Sequence, residues 1–122
     1  MKITKFEDIE VWQLGRELTR KIYSITKKGE FAKDYGQKDQ IRRASGSVMH
    51  NIAEGFDARS NREFARFLGY SQRSCTEVQS ELYVALDQNY IGNDEFHELY
   101  ALAKHTGSKG GAFIKYLKNN PR

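Results

Sequence analysis

Apolar residues recur at spacings of three and four along four separate stretches of the chain, the period of a helix with one buried face. In the first stretch Val11, Gly15, Leu18, Ile22 and Ile25 form the seam. The second carries Ile41, Ala44, Val48 and Ile52. The third runs through Phe64, Leu68, Ser71, Cys75, Val78, Leu82 and Ala85, and the fourth through Phe96, Leu99, Ala103, Thr106, Gly110, Phe113 and Leu117. Strand-type alternation is absent. The seams predict helices over residues 8–28, 34–55, 61–89 and 94–118, each boundary good to a few residues.

Local signals punctuate these segments. Asp8 can cap the first helix or sit in its acidic first turn, and Gly29 supplies a stop. Gly55 is the expected end of the second helix, with Asp57-Ala58-Arg59-Ser60 as a short polar connection. Ser60-Asn61-Arg62-Glu63 reads as a capping box, serine and glutamate each satisfying a first-turn donor. Asn89 to Asn93 makes the last turn, with Asn93 a candidate cap. The only proline is Pro121, so nothing earlier in the chain firmly stops a helix. A length of 122 residues suits one domain, 1–122. The expected fold is therefore all-α, an antiparallel up-down-up-down four-helix bundle.

Some apolar residues fall off the seams. Trp12 and Tyr23 lie about 100° from the first seam, and Tyr83, Leu86 and Tyr90 do the same on the third helix. Tyr100, Gly107, Gly111 and Ile114 form a parallel line on the fourth, whose glycines allow close backbone approach. Two readings stay open: these faces border a broad core, or they form a second apolar band for self-association.

Charge and composition narrow the function classes. The net charge is +4 and the pI near 9.2, which makes a polyanionic partner plausible without demonstrating one. A single cysteine, Cys75, excludes an intrachain disulfide framework, and its seam position marks a buried thiol rather than a nucleophile. The N-terminus lacks a signal-peptide apolar run and no window approaches a bilayer span, so a cytoplasmic location is the expectation, with no membrane partner. His50, His97 and His105 are too scattered for a helical metal pair. The glycines of GSKGG lack the strand-loop-helix context of a phosphate loop. Neither a metal nor a cofactor is expected, and the chain reads as no enzyme; a hydrolase would need a metal gathered by His50, Asn51 and Glu54.

Placement of the arginines is more suggestive. Arg62, Arg66 and Arg73 share the face of the third helix opposite its seam, and Arg59 extends that line. Arg42, Arg43 and Lys38 decorate the preceding helix, while Glu77 and Glu81 turn the far half of the third helix acidic. Such segregation either focuses positive potential for phosphate contacts or is simply a solvated face. Within the second helix, Ser47, Asn51 and Glu54 form a polar track suited to fixing helix register.

Gln40-Ile41-Arg42-Arg43-Ala44, then Ser47-Val48, then Asn51-Ile52-Ala53-Glu54-Gly55 resemble the signature of the four-helix bundle proteins encoded in 23S rRNA intervening sequences, a family also labelled S23 ribosomal protein. The likeness runs from Phe6-Glu7-Asp8 and Val11-Trp12-Gln13, through Ser60, Glu63 and Phe64, to the last helix. It implies a bundle that assembles as a ring-shaped homopentamer, without established enzymatic activity. It also implies kinship with the accessory variability determinant of diversity-generating retroelements, which binds a reverse transcriptase and nucleic acid. Two departures stand out: Met49 replaces a proline common in the family, and Arg73 replaces a glycine.

The leading expectation is an oligomeric nucleic-acid-binding protein, RNA favoured and DNA also admissible, acting through Arg42, Arg43, Arg59, Arg62, Arg66 and Arg73. The alternative is a protein-interaction scaffold, such as a reverse-transcriptase adaptor. In either case Trp12, Tyr23, Tyr83, Leu86, Tyr90, Tyr100 and Ile114 are the candidate oligomer interface.

Overall fold

The computed structural model describes residues 3–120, so Pro121 lies outside the described residues. Four long helices account for most of them: α1 (Glu10–Thr26), α2 (Tyr35–Asp57), α3 (Asn61–Asp87) and α4 (Asn93–Asn119). No strand occurs among the described residues. Helix α3 packs most extensively, against α2 and α4, and α1 closes the bundle by touching both α2 and α4. The seam residues meet at the centre. Leu18, Ile22, Ile41, Val48, Ile52, Leu68, Val78, Leu82 and Ala103 have no accessible surface.

The start of α1 differs from the expectation. Asp8 closes a short 3-10 turn, Phe6–Asp8, and the helix begins only at Glu10 after the extended residue Ile9. The reason is apolar: Ile9 is buried and Phe6 packs edge-on to Trp12 at 5.1 Å. Gly29 adopts φ +54° just beyond α1, a left-handed conformation that glycine accepts at little cost. A second 3-10 turn, Phe31–Lys33, then leads to Asp34, whose Oδ1 accepts from the Gln37 backbone N–H and so caps α2.

Gly55 does not end α2. The helix continues to Asp57, and the chain turns at Arg59, which takes φ +61°. Gly55 instead lets α2 approach α3: a Cβ there would stand 2.8 Å from Phe67 Cβ and 2.9 Å from Phe64 Cδ1. Ser60 does cap α3, its Oγ accepting from Glu63 N–H at 3.3 Å, while the Glu63 carboxylate turns to Arg66 at 3.3 Å. Asn93 is the first helical residue of α4 rather than its cap; Gly92 precedes it and donates its N–H to Glu95 Oε1.

Hydroxyls and amides fix the register between helices. Thr19 Oγ1 donates to the Ser45 carbonyl, Ser71 Oγ to the Val48 carbonyl, and Ser74 Oγ to Ser47 Oγ. Gln72 Nε2 donates to the Gly107 carbonyl at 3.0 Å, and Gly107, Gly110 and Gly111 all lie against Gln72 or Cys75. The glycine line of α4 is thus spent inside the chain, on the α3–α4 contact. Two ion pairs, Lys21–Glu98 and Lys109–Glu10, tie α1 to α4.

Candidate nucleic-acid interface

The arginines of the expected basic face divide into distinct environments. Arg62, Arg66 and Arg73 are all exposed along one side of α3, and Arg59 is exposed at the turn before it. Between Arg66 and Arg73 stands the half-buried ring of Tyr70. Arg66 lies 5.6 Å and Arg73 5.9 Å from its centroid, within cation–π range. Arg66 also lies 5.7 Å from the Phe67 ring and pairs with Glu63. Arg59, Arg62 and Arg73 make no ion pair among the described residues.

The two arginines of α2 are unlike each other. Arg43 is exposed and pairs one turn back with Asp39, at 2.9 Å. Arg42 is half-buried: its Nε donates to Thr26 Oγ1 at 2.8 Å and its guanidinium carbon lies 4.3 Å from the Tyr23 ring centroid. This places a cation against the C-terminal end of α1, where the helix dipole favours it. Arg42 therefore belongs in part to the packing of α1 on α2, and only its terminal nitrogens are left to meet a ligand.

Beside Arg42 and Arg43 a shallow groove follows the outer face of α2, and His50, Asn51 and Glu54 line it. Asn51 donates to both the carbonyl and hydroxyl of Ser47, whose hydroxyl also accepts from Ser74 on α3, so Ser47 and Asn51 are engaged in packing. No cluster of three or more metal-ligating side chains occurs among the described residues. Cys75 is buried on the seam, and burial pushes its thiol up to about 12. No described helix is long and apolar enough to cross a membrane.

The candidate interface residues scatter. Trp12 is only 8% exposed and belongs to the core of its own chain, because the 3-10 turn folds Phe6 over it. Tyr90 stacks on Phe31 at 4.9 Å and donates its hydroxyl to Asp34 Oδ2 at 2.7 Å, so it fastens the α1–α2 connection. Leu86 and Ile114 are half-buried against the core. Tyr83, 50% exposed, clusters with Phe96 and Tyr100, its ring centroid 4.9 and 5.7 Å from theirs. Tyr23 keeps 40% exposure under Arg42.

Residues 7–109 match the family described as 23S rRNA-intervening sequence protein. The chain belongs to that family. No curated protein sequence matches it. Among solved structures, the chain is similar to a protein of unknown function from the S23 ribosomal protein family of Bacteroides thetaiotaomicron. The two are 20% identical, superpose with a TM-score of 0.77, and the match covers 86% of this chain and 98% of that one. At that identity the likeness concerns the fold.

As a 23S rRNA-intervening sequence protein, this chain carries its two departures without distortion. Helix α2 passes through Met49 unbroken, and Arg73 points to solvent beside Tyr70 rather than crowding a neighbouring helix. Spacing alone did not single out Arg16, Arg20 and Lys21, which line a groove on α1 with Trp12 and Glu17. In sequence a single acid, Glu17, stands among them. Tyr35 belonged to no seam or band, yet among the described residues it is the most exposed large apolar side chain, at 74%.

Proposed function

We propose that this protein is a non-enzymatic, oligomeric nucleic-acid-binding protein whose ligand is structured RNA, DNA being a weaker alternative held by the same phosphate contacts. The observation that carries this reading is Tyr70 flanked by Arg66 and Arg73, with Arg62 and Arg59 continuing the row. Arg73 beside the Tyr70 ring has no carboxylate partner among the described residues and Arg66 is shared between that ring and Glu63, and phosphate contacts set position and affinity rather than sequence choice. Net charge of +4 acts in the same direction.

An antiparallel up-down-up-down path is supported by contacts between opposite helix ends: Asn61 with the Leu117 carbonyl, Gln37 with the Glu81 carbonyl, and Arg42 with Thr26. The homopentameric ring is taken from the family resemblance, and repetition around a ring would add the basic rows of several copies. The protein is expected to work in the cytoplasm.

The rival reading, a scaffold or reverse-transcriptase adaptor, is favoured by the exposed Tyr83 against Phe96 and Tyr100. Replacing Arg59, Arg62, Arg66 and Arg73 by glutamine separates the two. An RNA binder loses a structured RNA and its steep salt dependence, whereas an apolar adaptor keeps its protein partner. Wild-type protein that retains no RNA or DNA even at low salt refutes the leading reading.

A further inference from the structure

The end of the bundle where α1 meets α2 presents two cation–tyrosine pairs side by side. Arg42 lies over Tyr23 at 4.3 Å and Lys38, one turn earlier on α2, lies over Tyr35 at 4.7 Å. Arg42 connects them, since it lines both the groove containing Tyr23 and the adjoining one containing Tyr35 and Lys38. Both rings remain open to solvent, Tyr23 at 40% and Tyr35 at 74%.

Glu77, Glu81 and Asp87 on the neighbouring part of α3 make no ion pair among the described residues, but none of them lines either groove, and the acids next to the two pairs are engaged. Asp39 pairs with Arg43, Glu30 pairs with Lys33, and Asp34 is turned inward to Tyr90 and Gln37. Arg42 and Lys38 have no carboxylate within ion-pair distance among the described residues, and the exposed Lys27 and Lys28 add to the same end. Glu54 lines the Tyr23 groove too, but twelve residues of helix put it roughly 18 Å along the axis from Arg42. Two cations without a paired carboxylate, beside two open flat rings, do not suit a second copy of a basic chain. They suit a ligand that is anionic and carries flat rings of its own.

We propose that this end carries a second nucleic-acid site, for single-stranded RNA, in which bases stack on Tyr23 and Tyr35 while Arg42 and Lys38 take the phosphates. Such a site is the combination by which single strands are held without base readout, a positive track beside aromatic platforms. Thr26 is a positioning residue: by accepting from Arg42 Nε it fixes the guanidinium and leaves the terminal nitrogens for a ligand. The site rests on the reading of the protein as a nucleic-acid binder but differs from the α3 row in needing exposed bases, which a duplex does not offer.

The test is fluorescence anisotropy on the full chain with two RNAs, a single strand of roughly 12 nucleotides without self-complementarity and a hairpin of matched charge. Tyr35→Ala, which removes no charge and leaves the core untouched, should weaken single-strand binding about tenfold and hairpin binding by less than about twofold. Arg66→Gln with Arg73→Gln should do the reverse. Lys38→Gln should lower the salt slope for the single strand by about one. Unchanged single-strand affinity in both Tyr35→Ala and Tyr23→Ala overturns the site. So does a Tyr35→Ala protein whose mass changes by light scattering while RNA binding does not, because the patch is then a protein contact. A wild-type protein that binds the single strand through Tyr35 but not the hairpin sinks the structured-RNA reading and leaves this site standing. Binding of neither RNA overturns both.

Discussion

Gly55 and Phe64 are in direct contact across α2 and α3: a Cβ on the glycine would stand 2.9 Å from Phe64 Cδ1 and 2.8 Å from Phe67 Cβ. A β-carbon at Phe67 cannot swing away like the tip of a flexible chain, so a helix would have to move. Gly55→Ala should therefore destabilise the bundle by about 1–3 kcal/mol despite alanine's higher helix propensity. Gly46, in the same helix, has His50 as its nearest neighbour at 3.6 Å. Gly46→Ala should instead be stabilising, by about 0.5–1 kcal/mol. Urea denaturation of the two variants checks the opposite signs.

Glu81 is only 8% exposed and its Oε1 has no hydrogen-bond partner. Burial first, and the neighbouring Glu77 second, push its carboxyl from 4.5 to about 7. Folding thus favours the protonated form. The cost is absent below the unfolded value, develops as pH rises from 4.5 towards 7, and is complete above that. Glu81→Gln should raise stability by an amount on the order of 2 kcal/mol at about pH 8 and change it little at about pH 4. A variant equally stabilised at both pH values would contradict this origin.

Asp34 titrates the other way. The Tyr90 hydroxyl, and next the Gln37 amide, hold its carboxyl below the usual 3.8. The contribution is present above that value and is lost as pH falls through the lower folded one. Tyr90→Phe should lower the thermal midpoint at neutral pH and shrink the loss of stability on acidification. A midpoint unchanged by Tyr90→Phe at neutral pH would show that the contact does not stabilise.

Cys75, with its thiol raised to about 12, should react with a thiol reagent only when the bundle opens. At neutral pH the native protein should therefore react far more slowly than the denatured chain. Comparable rates in the two states would place the sulfur at the surface.

The four seams were legible because each repeats over several turns, and most residues they name became inaccessible, from Leu18 to Ala103, although Phe113 is only half-buried and the buried Phe31 and Ile91 lie on no seam. Glycines were harder. Gly55 looks the same in sequence whether it ends a helix or admits a neighbour, and only the position of Phe64 and Phe67 decides. Asp8 was misplaced because the pull that shapes that corner is apolar, from Ile9 and Phe6 on Trp12. Side-chain periodicity places Trp12 on a stripe beside the seam and leaves open whether that stripe borders the core, because it has no means of seeing the 3-10 turn that covers it. The exposed arginines of α3 could be read from their spacing, since i and i+4 positions share a face wherever the helix lies. Arg42 could not, because its partners Thr26 and Tyr23 are on another helix.

The glycines of α4 bear on how its second half is held. Gly107, Gly110 and Gly111 together forgo about 3 kcal/mol of intrinsic helicity relative to alanine, and what they gain is the close seat on Gln72 and Cys75. The second half of α4 is therefore a helix only in company. Its helicity is borrowed from α3, and loosening the Gln72 and Cys75 seat should free this half of α4 while the α2–α3 pair, joined by a three-residue turn, stays closed.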